Sequence, residues 1–210
     1  MKPLPNASQH RAITKVFHWS VATLIVIDFC FALSFSQFNP GDRLYFPIAY
    51  AMHMTFGMLG LILAVPFIIR RLTWGRTRRT DDATKDMSAV SRALAWIVHA
   101  LLYAFMIVVP LTGWAILSTR KQPAVLFDSV HWPNIGFVSN LPRPQRQVIY
   151  DLVMPGHTKL AYIGMSLVGL HILAALYHHF YRRDDVLRGM LPTITTAKGD
   201  TGRTELENAD

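Results

Sequence analysis

Four apolar stretches, each long enough to cross a bilayer, constrain this 210-residue chain more than anything else in its sequence. They are Val16–Phe35, Phe46–Ile69, Leu94–Leu117 and Leu160–Tyr181. Spanning the hydrocarbon core takes about 20 apolar residues at about 1.5 Å rise each. Only 16% of the residues are charged, where a soluble domain carries about a quarter. Asp28 interrupts the first stretch and histidines interrupt the others. The economical reading is all-α: an integral membrane four-helix bundle over residues 1–192, with spans at about 16–35, 46–69, 94–117 and 157–181.

The net charge of +8 raises the question of nucleic acid, and its distribution answers it. With four spans, the N-terminal lead, the loop between spans two and three, and the C-terminal tail share one face. Those segments hold 3, 7 and 5 Lys/Arg, 15 in all. The opposite loops hold Arg43, Arg120, Lys121, Arg143 and Arg146, with Lys159 at the mouth of span four. By the positive-inside rule both termini are cytoplasmic. The basic excess is topological, so no nucleic-acid partner is expected; the partner is the lipid bilayer. The apolar run after the basic lead is longer than the core of a cleaved signal, about 7–15 residues. It reads as an uncleaved first span. Cys30 is the only cysteine, which excludes a disulfide framework and a C-x-x-C-H haem attachment.

Between the spans, Asn39-Pro40-Gly41-Asp42 is a turn signal. Residues 119–156 form a long periplasmic loop with prolines at 123, 133, 142 and 144, and with Pro155 just before span four. Its apolar residues, Phe127, Trp132, Ile135 and Phe137, predict a loop folded over the membrane surface. Its Gln145–Val153 stretch is suited to a short interfacial helix. Residues 193–210 read as a disordered tail. The sequence carries no indication of oligomeric state.

Histidines provide the chemistry. An intramembrane ionisable residue is costly and is a functional candidate by default, although a lone one serves equally well in helix–helix hydrogen bonding. The spacing argues for more. His157 and His171 are 14 residues apart in span four, close to four turns, so they project from nearly one face about 21 Å apart. His18 is 3 positions from Lys15 in span one, and His53 is 17 positions from Arg70 in span two. Their depths therefore also differ by 14 residues. Two planar cofactors stacked across the bilayer need this arrangement, and neutral imidazoles are good axial ligands for haem iron. His18 then pairs with His171, and His53 with His157, as axial ligands of two haem b groups. Ligation by two histidines closes both axial positions and favours electron transfer over O₂ binding.

Absolute depth disagrees by about two turns, because His171 lies 11 positions from Arg182. Continuation of span four into the cytoplasm accounts for this. His178, 4 positions from Arg182, is the rival ligand for His18, but it makes the two separations unequal. His99, His178 and Lys159 are further candidates for haem-propionate or quinone contacts. Gly57 and Gly60 follow His53 on its own face, where a missing side chain suits a flat ring; small-residue helix packing is the simpler account.

The chain resembles the prokaryotic cytochrome b561 family. The likeness rests on Phe17-His18-Trp19, on His53 followed by Gly57, and on Leu111-Thr112-Gly113-Trp114. It continues through His157, Gly169-Leu170-His171, His178-His179-Phe180 and Asp184-Asp185-Val186-Leu187-Arg188-Gly189-Met190. The resemblance implies a di-haem b protein that passes electrons between a periplasmic electron donor and the ubiquinone pool. It implies the same pairs, His18 with His171 and His53 with His157. Some members look like superoxide oxidases, that is, superoxide:ubiquinone oxidoreductases; similar subunits serve hydrogenases and formate dehydrogenases. This chain has a longer loop between spans three and four than the compact members.

The leading expectation is thus a redox relay with superoxide as donor, drawn in by Arg43, Arg143, Arg146 and Lys159. The alternative is a cytochrome b subunit that anchors a partner dehydrogenase or accepts electrons from a periplasmic carrier. A metal-ion transporter ranks last, since Asp28 is the one carboxylate within the spans.

Overall fold

The computed structural model describes residues 7–34, 45–74, 88–127, 129–184 and 186–191. The expected turn at 39–42, Arg43, most of the basic loop after span two, and the tail at 193–210 lie outside the described residues. Four long helices carry the fold: α1 (Ala7–Ser34), α2 (Tyr45–Trp74), α3 (Ala89–Thr119) and, after a short excursion, α5 (Arg143–Tyr177). All four are long and apolar enough to cross a membrane. The excursion holds a two-stranded antiparallel hairpin, β1 (Ala124–Leu126) with β2 (Val130–Trp132), and one turn of helix, α4 (Gly136–Ser139). A π-turn at His178–Arg182 and a short α6 (Val186–Met190) follow α5.

The helix ends follow from local chemistry. Ser88 caps α3, its Oγ accepting the Ser91 N–H at 3.1 Å, which satisfies one of the donors a helix start leaves free. Pro142 and Pro144 flank the first residue of α5, where a missing N–H costs nothing. Pro66, Pro110 and Pro155 sit inside helices; tightly packed neighbours make this tolerable in membranes.

Burial is sparse and outward-facing apolar side chains are many, as lipid-facing helices require. One buried cluster joins Val21, Ala64, Phe67 and Met106 across α1, α2 and α3. Ile62, Leu101, Val108, Ile163 and Leu173 face outward from the same helices and from α5. Helix α1 lies along α2, α2 along α3, and α3 along α5. The α3–α5 contact is close: a Cβ on Gly164 would fall 2.0 Å from the Phe105 ring. Helices α1 and α5 meet through side chains, Phe29 against Tyr162 with ring centroids 5.8 Å apart, and His18 against His171.

Span four is longer than its apolar run indicates. The Gln145–Val153 stretch is helical, but it forms the first turns of α5 rather than a separate interfacial helix. Arg146 anchors this start, donating from Nε to the Leu141 carbonyl at 3.1 Å and from its terminal nitrogen to the Thr119 carbonyl. Thirty-five residues extend about 52 Å, against about 30 Å of hydrocarbon core, so α5 projects from the bilayer. Beyond its other end the chain turns at Arg183, in the left-handed region at φ 54°, and returns through α6. There Trp19 Nε1 donates to the Met190 carbonyl and Lys15 Nζ to the Leu191 carbonyl, each at 2.8 Å. Lys15 and Trp19, which flank His18, are therefore level with residues about 20 positions beyond His171. This overshoot is the physical origin of the mismatch in apparent depth.

The long loop folds back onto the helix ends, but through Ala124, Leu126 and Val138 rather than Phe127 and Phe137, which are exposed. Ala124 and Leu126 are buried with Met58 of α2 and Leu117 of α3, beside Trp114 and Trp132. Trp114 Nε1 donates to the Pro133 carbonyl at 2.8 Å. The fully buried Ser118 donates to the Trp114 carbonyl at 2.8 Å and accepts the Ile135 N–H at 2.9 Å. The hairpin thus caps the ends of α2 and α3 nearest His53.

Candidate functional site: two histidine pairs in the helix bundle

The four spanning-helix histidines singled out by spacing stand as two facing pairs. His53 and His157 have ring centroids 6.1 Å apart at 68°, and His18 and His171 have centroids 6.3 Å apart at 64°. Each pair joins helices distant in sequence, α2 to α5 and α1 to α5. Among the described residues no group of three or more His, Cys, Asp or Glu side chains could hold a metal ion. The arrangement is one of pairs, not of a polydentate cluster.

The spacing suits a planar metal cofactor. Two metal–nitrogen bonds of about 2 Å and two imidazole radii of about 1.1 Å span about 6 Å between ring centres. Around His53 and His157 a cleft of about 70 Å³ is lined almost wholly by apolar groups. Val21, Leu24, Ile25, Phe29, Phe56, Phe105, Met106, Val109 and Pro110 form its walls, with Gly57 and Gly60 on the His53 face. A Cβ on Gly60 would meet nothing within 4 Å, whereas one on Gly57 would touch the Asp28 carboxylate at 3.7 Å. Gly60 therefore opens onto space, and Gly57 serves packing.

Both imidazoles of this pair are oriented through Nδ1. His157 Nδ1 lies 2.9 Å from Thr112 Oγ1 and 3.2 Å from the Val109 carbonyl. Gly113 makes room for the ring, since a Cβ there would stand 3.3 Å from His157 Cε1. His53 Nδ1 lies 2.9 Å from Asp28 Oδ1. With Nδ1 occupied, Nε2 is the nitrogen left for a metal, the usual division of labour in ligating histidines.

The other pair has a different neighbourhood. His99 of α3 stands against it, its ring 5.3 Å from that of His171 and 6.4 Å from Tyr103. His99 Nδ1 is 2.6 Å from the Ala95 carbonyl, an acceptor only, so Nδ1 carries the proton. His178 lies in the π-turn with Nδ1 2.5 Å from Asp184 Oδ2, and it is His171, seven residues earlier, whose ring meets His18. Lys159 is exposed on α5. Of the three further candidates, His99 is the one placed against a pair.

Sequence reasoning missed Asp28 and Thr112 as partners of these histidines. Asp28 had an available signal: it is a carboxylate inside a span, 10 residues along α1 from His18, and so about 15 Å nearer the level of His53. Thr112 had none beyond its place beside Gly113.

Two facing histidine pairs on four spanning helices form the arrangement that a membrane cytochrome of the b type requires. The family description of prokaryotic cytochrome b561 matches residues 9–193, and the chain belongs to that family. It is 27% identical over 175 residues to a Yersinia pestis protein named probable superoxide oxidase CybB, covering 83% of this chain and 91% of the relative. It is 25% identical over 183 residues to cytochrome b561 homolog 2 of Escherichia coli K12, covering 87% and 91%. Cytochrome b561 homolog 1 of the same organism is 31% identical over 114 residues, covering 51% and 60%. The chain is thus a bacterial membrane cytochrome b with a role in electron transfer.

Proposed function

We propose that the chain carries electrons across the bacterial inner membrane, from a periplasmic donor to the ubiquinone pool, as a superoxide:ubiquinone oxidoreductase holding two haem b groups. The observation that carries this reading is the pair of facing histidine couples, with ring separations of 6.1 and 6.3 Å. His53 and His157 hold one haem towards the hairpin; His18 and His171 hold the other towards the termini. Bound there, the haems supply one-electron chemistry. The chain's own residues do the rest. Thr112 and Asp28 orient the His157 and His53 rings, the apolar cleft excludes water, and the hairpin closes the helix ends above it.

The donor reading draws support from the named Yersinia relative and from the charge at the hairpin face. Thr119, Arg120, Arg143, Arg146, Gln147 and Tyr150 line an open polar cleft of about 320 Å³. Arg146 is tied to the Thr119 and Leu141 carbonyls, and Arg120 stacks over the Tyr150 ring at 4.2 Å. The positive-inside bias leaves this face few basic residues, so their convergence favours a small anion as visitor. Purified protein supplied with superoxide and a ubiquinone analogue should consume superoxide and form quinol in a 2:1 ratio. Superoxide that leaves the haem spectrum unchanged sinks the donor assignment.

A further inference from the structure

Asp28 is the feature the proposed relay does not yet use beyond orientation. It is a carboxylate within the first spanning helix, where an ion is costly unless it has a task. Its Oδ1 lies 2.9 Å from His53 Nδ1, and it lines the same cleft as His53 and His157.

The two histidine pairs differ in the charge around them. Neutral Thr112 Oγ1 and the Val109 carbonyl attend His157, and the Asp28 carboxylate brings a negative charge to that pair. The His18–His171 pair has His99 against it, and Lys15, one turn before His18 on α1, reaches the Leu191 carbonyl. A carboxylate in ion-pair contact with the far nitrogen of a ligating imidazole makes that imidazole a stronger electron donor. A fixed negative charge in a low-dielectric interior also favours the more positive, oxidised state of the metal. A lysine near the other pair acts in the opposite direction.

We infer that Asp28 is a positioning residue that lowers the redox potential of the His53–His157 centre below that of the His18–His171 centre. Electrons then run downhill from the hairpin face towards the termini. The inference rests on the two-haem reading. Each transfer moves one electron with no bond made or broken in the protein. Superoxide gives up that electron to become dioxygen, and ubiquinone takes two, with two protons, to become the quinol.

The test is an optical redox titration of purified holoprotein in three forms: wild type, Asp28→Asn and Asp28→Glu. A His171→Ala variant identifies the step that belongs to the His53–His157 pair. Wild type should titrate in two steps, and the step kept in His171→Ala should be the lower. Asp28→Asn should raise that step, with a reduced-to-oxidised ratio about tenfold higher at fixed potential, about 59 mV for one electron. The other step should stay in place, and Asp28→Glu should return most of the shift. Two haems whose potentials ignore Asp28→Asn overturn this proposal alone. So does a higher potential for the His53–His157 step in wild type, a result that needs no Asp28 variant. Wild-type protein with fewer than two haems overturns the two-haem reading and this inference with it.

Discussion

His18 and His171 face each other edge to face at 6.3 Å from the first and the last of the four spanning helices. A chain that merely stacked its apolar helices would have no reason to spend intramembrane histidines on this contact. The second pair repeats it one helix over. The first prediction follows from the pairing. His171→Ala and His157→Ala should each purify with about half the haem of wild type. His178→Ala should keep both haems, because His178 lies in the π-turn and it is the His171 ring that meets His18. Haem-to-protein ratios settle this, and loss of a haem on changing His178 but not His171 would reverse the assignment.

The Thr112 hydroxyl offers a graded test of the other pair. It donates to the Val109 carbonyl at 2.6 Å and sits 2.9 Å from His157 Nδ1. Thr112→Val keeps the shape and removes the oxygen. Losing a partner behind a metal ligand costs about 10–100-fold in metal affinity. The variant should therefore release one haem to apomyoglobin faster by about that factor, while the second is released at the wild-type rate. Equal release of both haems would show that Thr112 supports the bundle generally.

How much of this was legible in the sequence depends on the length scale of the signal. The four spans and the two pairings are written in periodicity: apolar runs of bilayer length, and a 14-residue interval in two independent places. The start of α5 was only half legible, because Gln145–Val153 mixes polar with apolar residues and reads as a short separate helix, and Pro155 follows it. Nothing local says that the helix continues through the proline with Arg146 holding its first turn. The return of α6 against Trp19 and Lys15 was equally hidden, being a contact across about 170 residues. Without it, the depth of His171 looked wrong by two turns. Asp28 was visible as an anomaly, but its partner His53 lies on another helix, and only packing joins them.

Orientation in the membrane rests on the lysine and arginine count, and cysteine labelling tests it directly. Cys30 is exposed on α1, so the background should be Cys30→Ser. Val130→Cys places a thiol on the exposed edge of the hairpin, and Arg182→Cys one on the exposed π-turn. In intact spheroplasts a membrane-impermeant maleimide should label the first and leave the second until the membrane is opened. The reverse pattern would place the hairpin in the cytoplasm and turn the proposed electron path around.

Gly164 carries the last prediction, which concerns what holds the bundle rather than what it binds. It faces Phe105 at the α3–α5 contact, and a Cβ there would overlap the ring carbons at 2.0 Å. Small residues let membrane helices approach closely where no hydrophobic effect drives them together. The ring of Phe105 also lines the cleft beside His157, so it cannot swing away without entering the proposed haem site. Gly164→Ala should therefore destabilise the protein by about 1–3 kcal/mol, the usual cost of overpacking. It should also loosen the haem on His157 ahead of the other, seen as an early loss of half the Soret absorbance on heating. Adding Phe105→Leu should recover much of the stability by removing the clashing ring edge. If Gly164→Ala melts like wild type, the two helices are further apart in the membrane than the structure has them.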